Sequence, residues 1–333
     1  MPVVQGTQSM PRADLVLNLV KAGSQGNRQL FRTTVEAIAA EERAKHHHQL
    51  ADRLVSNLGG SEDAPRPSEV TRAFDGGHGG LLFELQPIRE LSSMVLEKHI
   101  RTAVSELVEE QTRSDLLRSY GLEPRNRLLL VGPPGNGKTS LVEAIARELA
   151  VPLFVVRYEA IVGSFLGETS GRLRKLFDFV RTHQCVLFFD EFDTLGKERG
   201  DTHDTGEIKR VVSSLLLQID ALPSHVLIAT ATNHPELLDR AVWRRFQLRL
   251  SLPAPESRAV EAWIRAFEVS IGQTFGLSPK TIATRLKPTS YSELQEFCTD
   301  VQRRYVLSLP EANIRTVVSE RLNQWSARVP AGK

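Results

Sequence analysis

Gly132-Pro133-Pro134-Gly135-Asn136-Gly137-Lys138-Thr139 follows the apolar run Leu128 to Val131 and precedes the helix-forming stretch Leu141 to Ala150. The spacing is GxxxxGK[ST], and a strand before it with a helix after it is the context that gives the pattern a mechanical meaning. Glycines allow backbone conformations and close approaches that a Cβ would block. Successive N–H groups can then point at phosphate oxygens where the helix begins. Lys138 brings a point charge to the β- and γ-phosphates of a bound ATP. Thr139, followed by Ser140, places a hydroxyl where Mg²⁺ bridges two phosphates.

Fifty residues on, Cys185-Val186-Leu187-Phe188-Phe189 reads as a strand buried on both faces and ends abruptly in Asp190-Glu191. Ligands of open parallel sheets sit beyond the carboxyl ends of the strands, so these acids are expected to face the crevice that holds the phosphate loop. Asp190 is the expected metal ligand, directly or through water. Glu191 is the expected general base that aligns the attacking water.

Around these motifs, short apolar runs (LLLV, LFVV, VLFF, VLIATAT) alternate with helical stretches, which predicts an α/β fold with a parallel sheet covered by helices. Ile88 to Tyr120 also reads as helical. Past Pro253 the β-type runs stop, and Arg258 to Ser270, Ser290 to Leu309 and Glu311 to Trp325 predict a small α-helical lid. Upstream, Phe31, Val35, Ile38, Leu50, Leu54 and Leu58 recur at helical steps and predict a hairpin that packs on itself or docks a partner. His46, His47 and His48 fan about 100° apart on a helix and cannot converge on one metal ion. The Gly-, Ser-, Pro- and charge-rich stretch between is expected to be a flexible linker. The boundaries are thus 1–58 for the hairpin, 59–84 for the linker, 85–253 for the large subdomain and 254–333 for the lid.

Composition restricts the partners. Forty-two Lys plus Arg against 40 Asp plus Glu leave a formal charge of +2 over 333 residues, too little to favour nucleic acid or an anionic membrane by field alone. Cys185 and Cys298 form no disulfide framework or CxxC site, and they fit a reducing compartment as small buried hydrophobes. No apolar run reaches the roughly 18 residues of a membrane span, and Met1 to Gln8 is not a signal peptide. A cytoplasmic location is expected.

GPPGNGKT, LFFDEFD and IATATNHPELLDRAVWRRF, in that order and spacing, resemble the AAA+ superfamily, specifically the classical clade of protein-remodelling ATPases, over about Leu85 to Ser326. The resemblance implies a P-loop NTPase three-layer αβα sheet of order 5-1-4-3-2, a helical lid, and assembly as a homo-oligomer, usually a hexameric ring. It assigns Asn233 as the polar sensor of the hydrolytic water. It also assigns Arg245 as the finger that reaches a neighbouring subunit's nucleotide, with Arg244 as the second candidate. WRRFQ departs from the common RxGRFD, being two residues shorter with Gln247 in place of the acid. At the lid, Ser290-Tyr291-Ser292-Glu293-Leu294 offers no second sensor arginine.

Ser164-Phe165-Leu166-Gly167-Glu168 falls where the family places its first pore loop, and Phe165, Leu166 and Gly167 match its aromatic, hydrophobic and glycine positions. Gly196 to Gly206 resembles the second. Such loops imply a protein client threaded or disassembled by ATP-driven steps, recruited by the N-terminal helices, with a separate protease as a possible companion. Core packing is the plain alternative for Phe165 and Leu166. A nucleic-acid-acting loader, with Arg172, Arg174 and Lys175 in a basic channel, and a nucleotide-gated scaffold are the rival readings.

Overall fold

The computed structural model describes residues 15, 19–21, 28–44, 72–73, 81–157, 166–193, 205–287, 290–309 and 313–327. The chain divides into two compact units, Met1–Ser68 and Glu69–Lys333. The first carries helix α1 (Arg28–Ala44), whose Val35, Ile38 and Ala39 are buried at helical spacing while Phe31 is 39% exposed. Residues 15 and 19–21 are also helical. The expected second arm, with Leu50, Leu54, Leu58 and the three histidines, lies outside the described residues.

The second unit is built on a seven-stranded sheet: β1 (Arg72–Ala73), β2 (Leu82–Leu85), β3 (Arg127–Val131), β4 (Leu153–Val156), β5 (Cys185–Phe189), β6 (Val226–Thr232) and β7 (Leu248–Ser251). Its order is β1-β2-β4-β5-β6-β3-β7. The strands from β7 to β4 are all parallel, which reproduces 5-1-4-3-2 when they are numbered from the phosphate-loop strand. Two antiparallel strands extend the β4 edge, with Leu82 opposite Val156 and Leu85 opposite Leu153. Residues 72–73 and 82–84 of the stretch expected to be linker are thus paired in the sheet. The stretch's glycine-rich flank hides the run Leu81-Leu82-Phe83, whose two leucines are buried once they dock on β4.

Side chains alternate across each strand and so feed two cores. One face carries Leu129, Leu187, Phe189 and Ile228, packed against Leu176 and Phe177 of helix α5 (Leu166–Arg181) and Leu215 and Ile219 of α6 (Thr205–Asp220). The other carries Leu128, Leu130, Phe188 and Ala229, packed against Val104 and Leu107 of α2 (Lys98–Thr112) and Leu141 and Ile145 of α4 (Lys138–Glu148). The continuous helix expected over 88–120 is instead a 3₁₀ turn at Leu91–Ser93, α2, and a short α3 (Ser114–Ser119). A four-residue helix, α7 (Arg240–Trp243), is capped by the Asp239 carboxylate, which accepts from Val242 N at 2.8 Å.

The lid comprises α8 (Ser257–Ile271), α9 (Pro279–Leu286), α10 (Tyr291–Leu307) and α11 (Ile314–Ser326), closed around Ile264, Phe275, Leu294, Phe297 and Val318. Helix α9 was not expected from the sequence; its own signal is Ser278-Pro279, a capping hydroxyl followed by proline in the first turn. Ser290 and Glu293 stand at capping-box spacing, and the Ser290 hydroxyl accepts from Glu293 N at 3.2 Å to fix where α10 begins. Cys185 and Cys298 are free and buried; burial pushes the Cys185 thiol up to about 12, and both thiols are inert core atoms.

Candidate functional site

The carboxyl ends of β3, β5 and β6 converge. Gly132 leaves β3 with φ of 150°, and a Cβ there would fall 2.2 Å from the Leu252 carbonyl oxygen, so only glycine lets the loop pass beneath the strand that ends at β7. Helix α4 then starts at Lys138. Thr139 Oγ1 donates to Asp190 Oδ2 at 2.9 Å, which brings the two expected metal-binding oxygens side by side. Glu191 N donates to Asp190 Oδ1 at 2.9 Å and orients the same carboxylate, while the Glu191 side chain faces solvent from a left-handed backbone with φ of 48°.

Lys138 is buried and donates from Nζ to Gly132 O at 2.7 Å, Pro133 O at 3.0 Å and Asn233 Oδ1 at 2.7 Å. Burial holds its ammonium below the ordinary lysine range, and the charges of Asp190 and Asp193 partly offset that. The ammonium thus spans the phosphate loop and the end of β6.

The lid reaches the loop directly. Ser292 N donates to Gly135 O at 3.0 Å and Ser292 Oγ to the same oxygen at 3.2 Å, and Tyr291 N donates to Asn136 Oδ1 at 3.3 Å. A Cβ on Gly135 would meet the Ser290 and Ser292 hydroxyls at 3.0 Å. Between loop and lid lies a cleft of about 1440 Å³, large enough for a nucleoside triphosphate. Pro134 to Ser140, Asp190, Glu191 and Asn233 line its polar end; Met94, Leu96, Ile100, Trp263 and Tyr291 offer an apolar end suited to a flat base.

The model of the ATPase family associated with various cellular activities (AAA) matches residues 128–254. The uncharacterized AAA family ATPase y4kL of Sinorhizobium fredii is 33% identical over 302 residues, covering 90% of each chain. The chain belongs to the AAA family. Two further AAA ATPases are similar to the chain. The peroxisomal ATPase PEX6 of Komagataella phaffii is 26% identical over 98% of the chain, and the 26S proteasome regulatory subunit 8 homolog of Schizosaccharomyces pombe is 31% identical over 62%. The AAA chain spans only 30% and 53% of the lengths of those two relatives.

Gly132 to Ser140, Asp190, Glu191 and Asn233 therefore share one place, and Arg244 and Arg245 do not. Arg245 Nε donates to Asp220 Oδ2 at 2.8 Å, and Arg127 Nη1 donates to Asp220 Oδ1 at 3.1 Å. Because Arg127 opens β3 and Asp220 closes α6 ahead of β6, this ion pair sits at the amino ends of the strands, away from the chain's own phosphate loop. Arg244 is exposed at the end of α7. Phe165 lies outside the described residues, Leu166 and Gly167 open α5, and 196–204 of the second expected pore loop are likewise outside. Among the described residues no group of three or more His, Cys, Asp or Glu could hold a metal, and no helix is long and apolar enough to cross a membrane.

Several residues escaped the sequence reading. Asp193 is 3% exposed, and its Oδ1 accepts from Thr232 Oγ1 at 2.9 Å and Asn233 N at 3.3 Å. Arg258, Tyr291 and Ser292 reach the cleft from the lid. The only sequence signal for Asp193 was its place as the last acid of Asp190-Glu191-Phe192-Asp193, where burial is invisible.

Proposed function

We propose that this protein hydrolyses ATP in the cleft between phosphate loop and lid, with Mg²⁺, and uses the energy as a ring-forming remodeller that threads or disassembles a protein client. The contact of Thr139 Oγ1 with Asp190 Oδ2 at 2.9 Å carries the reading, since it joins hydroxyl and carboxylate oxygens suited to a hard cation across the crest of one sheet. Thr139 and Asp190 would hold Mg²⁺, which when bound supplies positive charge to the β- and γ-phosphate oxygens. Few protein ligands would be needed, because phosphate and water oxygens would supply the rest.

The chain's own residues divide the remaining work. The N–H groups from Gly135 to Thr139 cradle the phosphates, and Lys138 turns from the Gly132 and Pro133 carbonyls toward the incoming oxygens. That movement also releases the Asn233 carboxamide to hold the attacking water. Glu191 accepts that water's proton or aligns it. Arg245, with Arg244 as the alternative, answers charge on a neighbour's γ-phosphate; its place away from the home cleft fits service across a subunit boundary. The sequence supports Phe165, Leu166 and Gly167 as the client-gripping loop of a hexameric ring.

The clade supports protein over nucleic acid as the substrate, and the formal charge of +2 supplies no opposing field. Steady-state ATPase rates measured with unfolded protein, with single-stranded DNA and with RNA, over a salt series, test this. Stimulation by unfolded protein that Phe165→Ala loses is the expected result. Stimulation by nucleic acid alone, falling steeply with salt, would replace the remodeller with a nucleic-acid-acting ATPase.

A further inference from the structure

The strands β5 and β6 are tied at their ends by a buried acid that the phosphate chemistry does not use. Asp193 lies three residues beyond the metal-binding Asp190, is 3% exposed, and accepts from the Thr232 hydroxyl at 2.9 Å and from Asn233 N at 3.3 Å. Thr232 Oγ1 accepts in turn from His234 N at 3.0 Å, and Phe192 N donates to Ala231 O at 2.8 Å. The turn that carries Asn233 is therefore clamped on both sides. From that turn the Asn233 Oδ1 meets Lys138 Nζ at 2.7 Å. A buried carboxylate is costly unless hydrogen-bonded and charge-balanced, and the two donors together with the nearby Lys138 ammonium meet both needs.

We infer that Asp193 is a positioning residue for hydrolysis: it fixes the end of β6 so that the Asn233 carboxamide points between Lys138 and the site of the attacking water. The inference rests on the hydrolysis reading above. Asp193 does not line the cleft; it acts through Asn233. When Lys138 turns to phosphate, Asn233 keeps its place because its backbone N–H stays held by Asp193, so the released carboxamide already faces the water's position.

The test is a double-mutant cycle. Asp193→Asn keeps the shape and turns a charged acceptor into a carboxamide that is neutral, a weaker acceptor and partly a donor. It is expected to lower kcat at least about 10-fold with KM and ADP affinity within about 2-fold of the parent. In an Asn233→Ala background the same substitution is expected to change kcat by less than about 2-fold, because the residue it positions is gone. Thr232→Val, which removes one donor to Asp193, is expected to lower kcat about 3-fold in the same pattern and decides the matter if Asp193→Asn does not fold. Unchanged kcat in a folded single variant, ADP affinity falling alongside kcat, or a full effect persisting without Asn233 would each overturn the positioning role. A wild-type protein that does not hydrolyse ATP would instead overturn the function on which it rests.

Discussion

Burial and hydrogen bonding act on Lys138 in opposite senses. Loss of water lowers its proton affinity, while three acceptors within 3.0 Å hold the ammonium in place. Because its folded-state pKa lies below the unfolded value, the unfolded chain binds more protons between the two. Nucleotide-free stability therefore rises as pH climbs through that interval. Urea unfolding at pH 8 and pH 10 is expected to show wild type gaining on Lys138→Met as the pH rises, and no relative gain would contradict the burial account. The residues proposed to hold phosphate were legible in sequence because the loop is contiguous and each member has a distinct chemistry. Asp193 was not, because three acids within four residues look alike until folding buries one.

At the scale of elements, the loop depends on what passes over and against it. Gly132 runs under the Leu252 carbonyl, and Gly135 against the α10 hydroxyls. Gly132→Ala combines a 2.2 Å clash with a φ that L-residues avoid. It is expected to cost about 2 kcal/mol or more, read as a lower denaturant midpoint at unchanged slope. A near-zero cost would mean that the loop moves freely away from β7. The parallel strands β3 to β6 were legible as apolar runs of four to seven residues, whereas β7 was not, because Arg249 interrupts its leucines. The β1–β2 edge was not, since glycines flank it and its partner strand lies 74 residues away in sequence at Leu82↔Val156. The contact of Ser292 with Gly135 spans 157 residues, a distance over which neither periodicity nor capping carries information.

At the scale of the whole molecule, the polar cleft and the Arg245–Asp220 pair sit at opposite ends of the strands, and in the proposed ring each protomer would receive a finger at one end and lend a finger from the other. A Lys138→Ala protomer keeps its finger and loses its phosphate charge, whereas an Arg245→Ala protomer does the reverse. Each alone is expected to fall at least about 100-fold in ATPase rate, and an equimolar mixture is expected to recover activity well above either. Absence of recovery in mixed assemblies would remove Arg245 from the neighbour's site and leave Arg244 to be tried in the same way. The resemblance implied Arg245 for the finger, but the sequence carried no sign of Asp220 as its holder, because that pairing is set by where α6 ends.

The central claim is that one cleft both clasps a triphosphate and cuts it, with Glu191 serving only the second step. Filter binding of ATP labelled separately at the α- and γ-phosphates to Glu191→Gln, with Mg²⁺ present, tests it most directly. Equal retention of both labels over many wild-type turnover times is the predicted result. Loss of the γ label at the wild-type rate, or retention of neither, would contradict it.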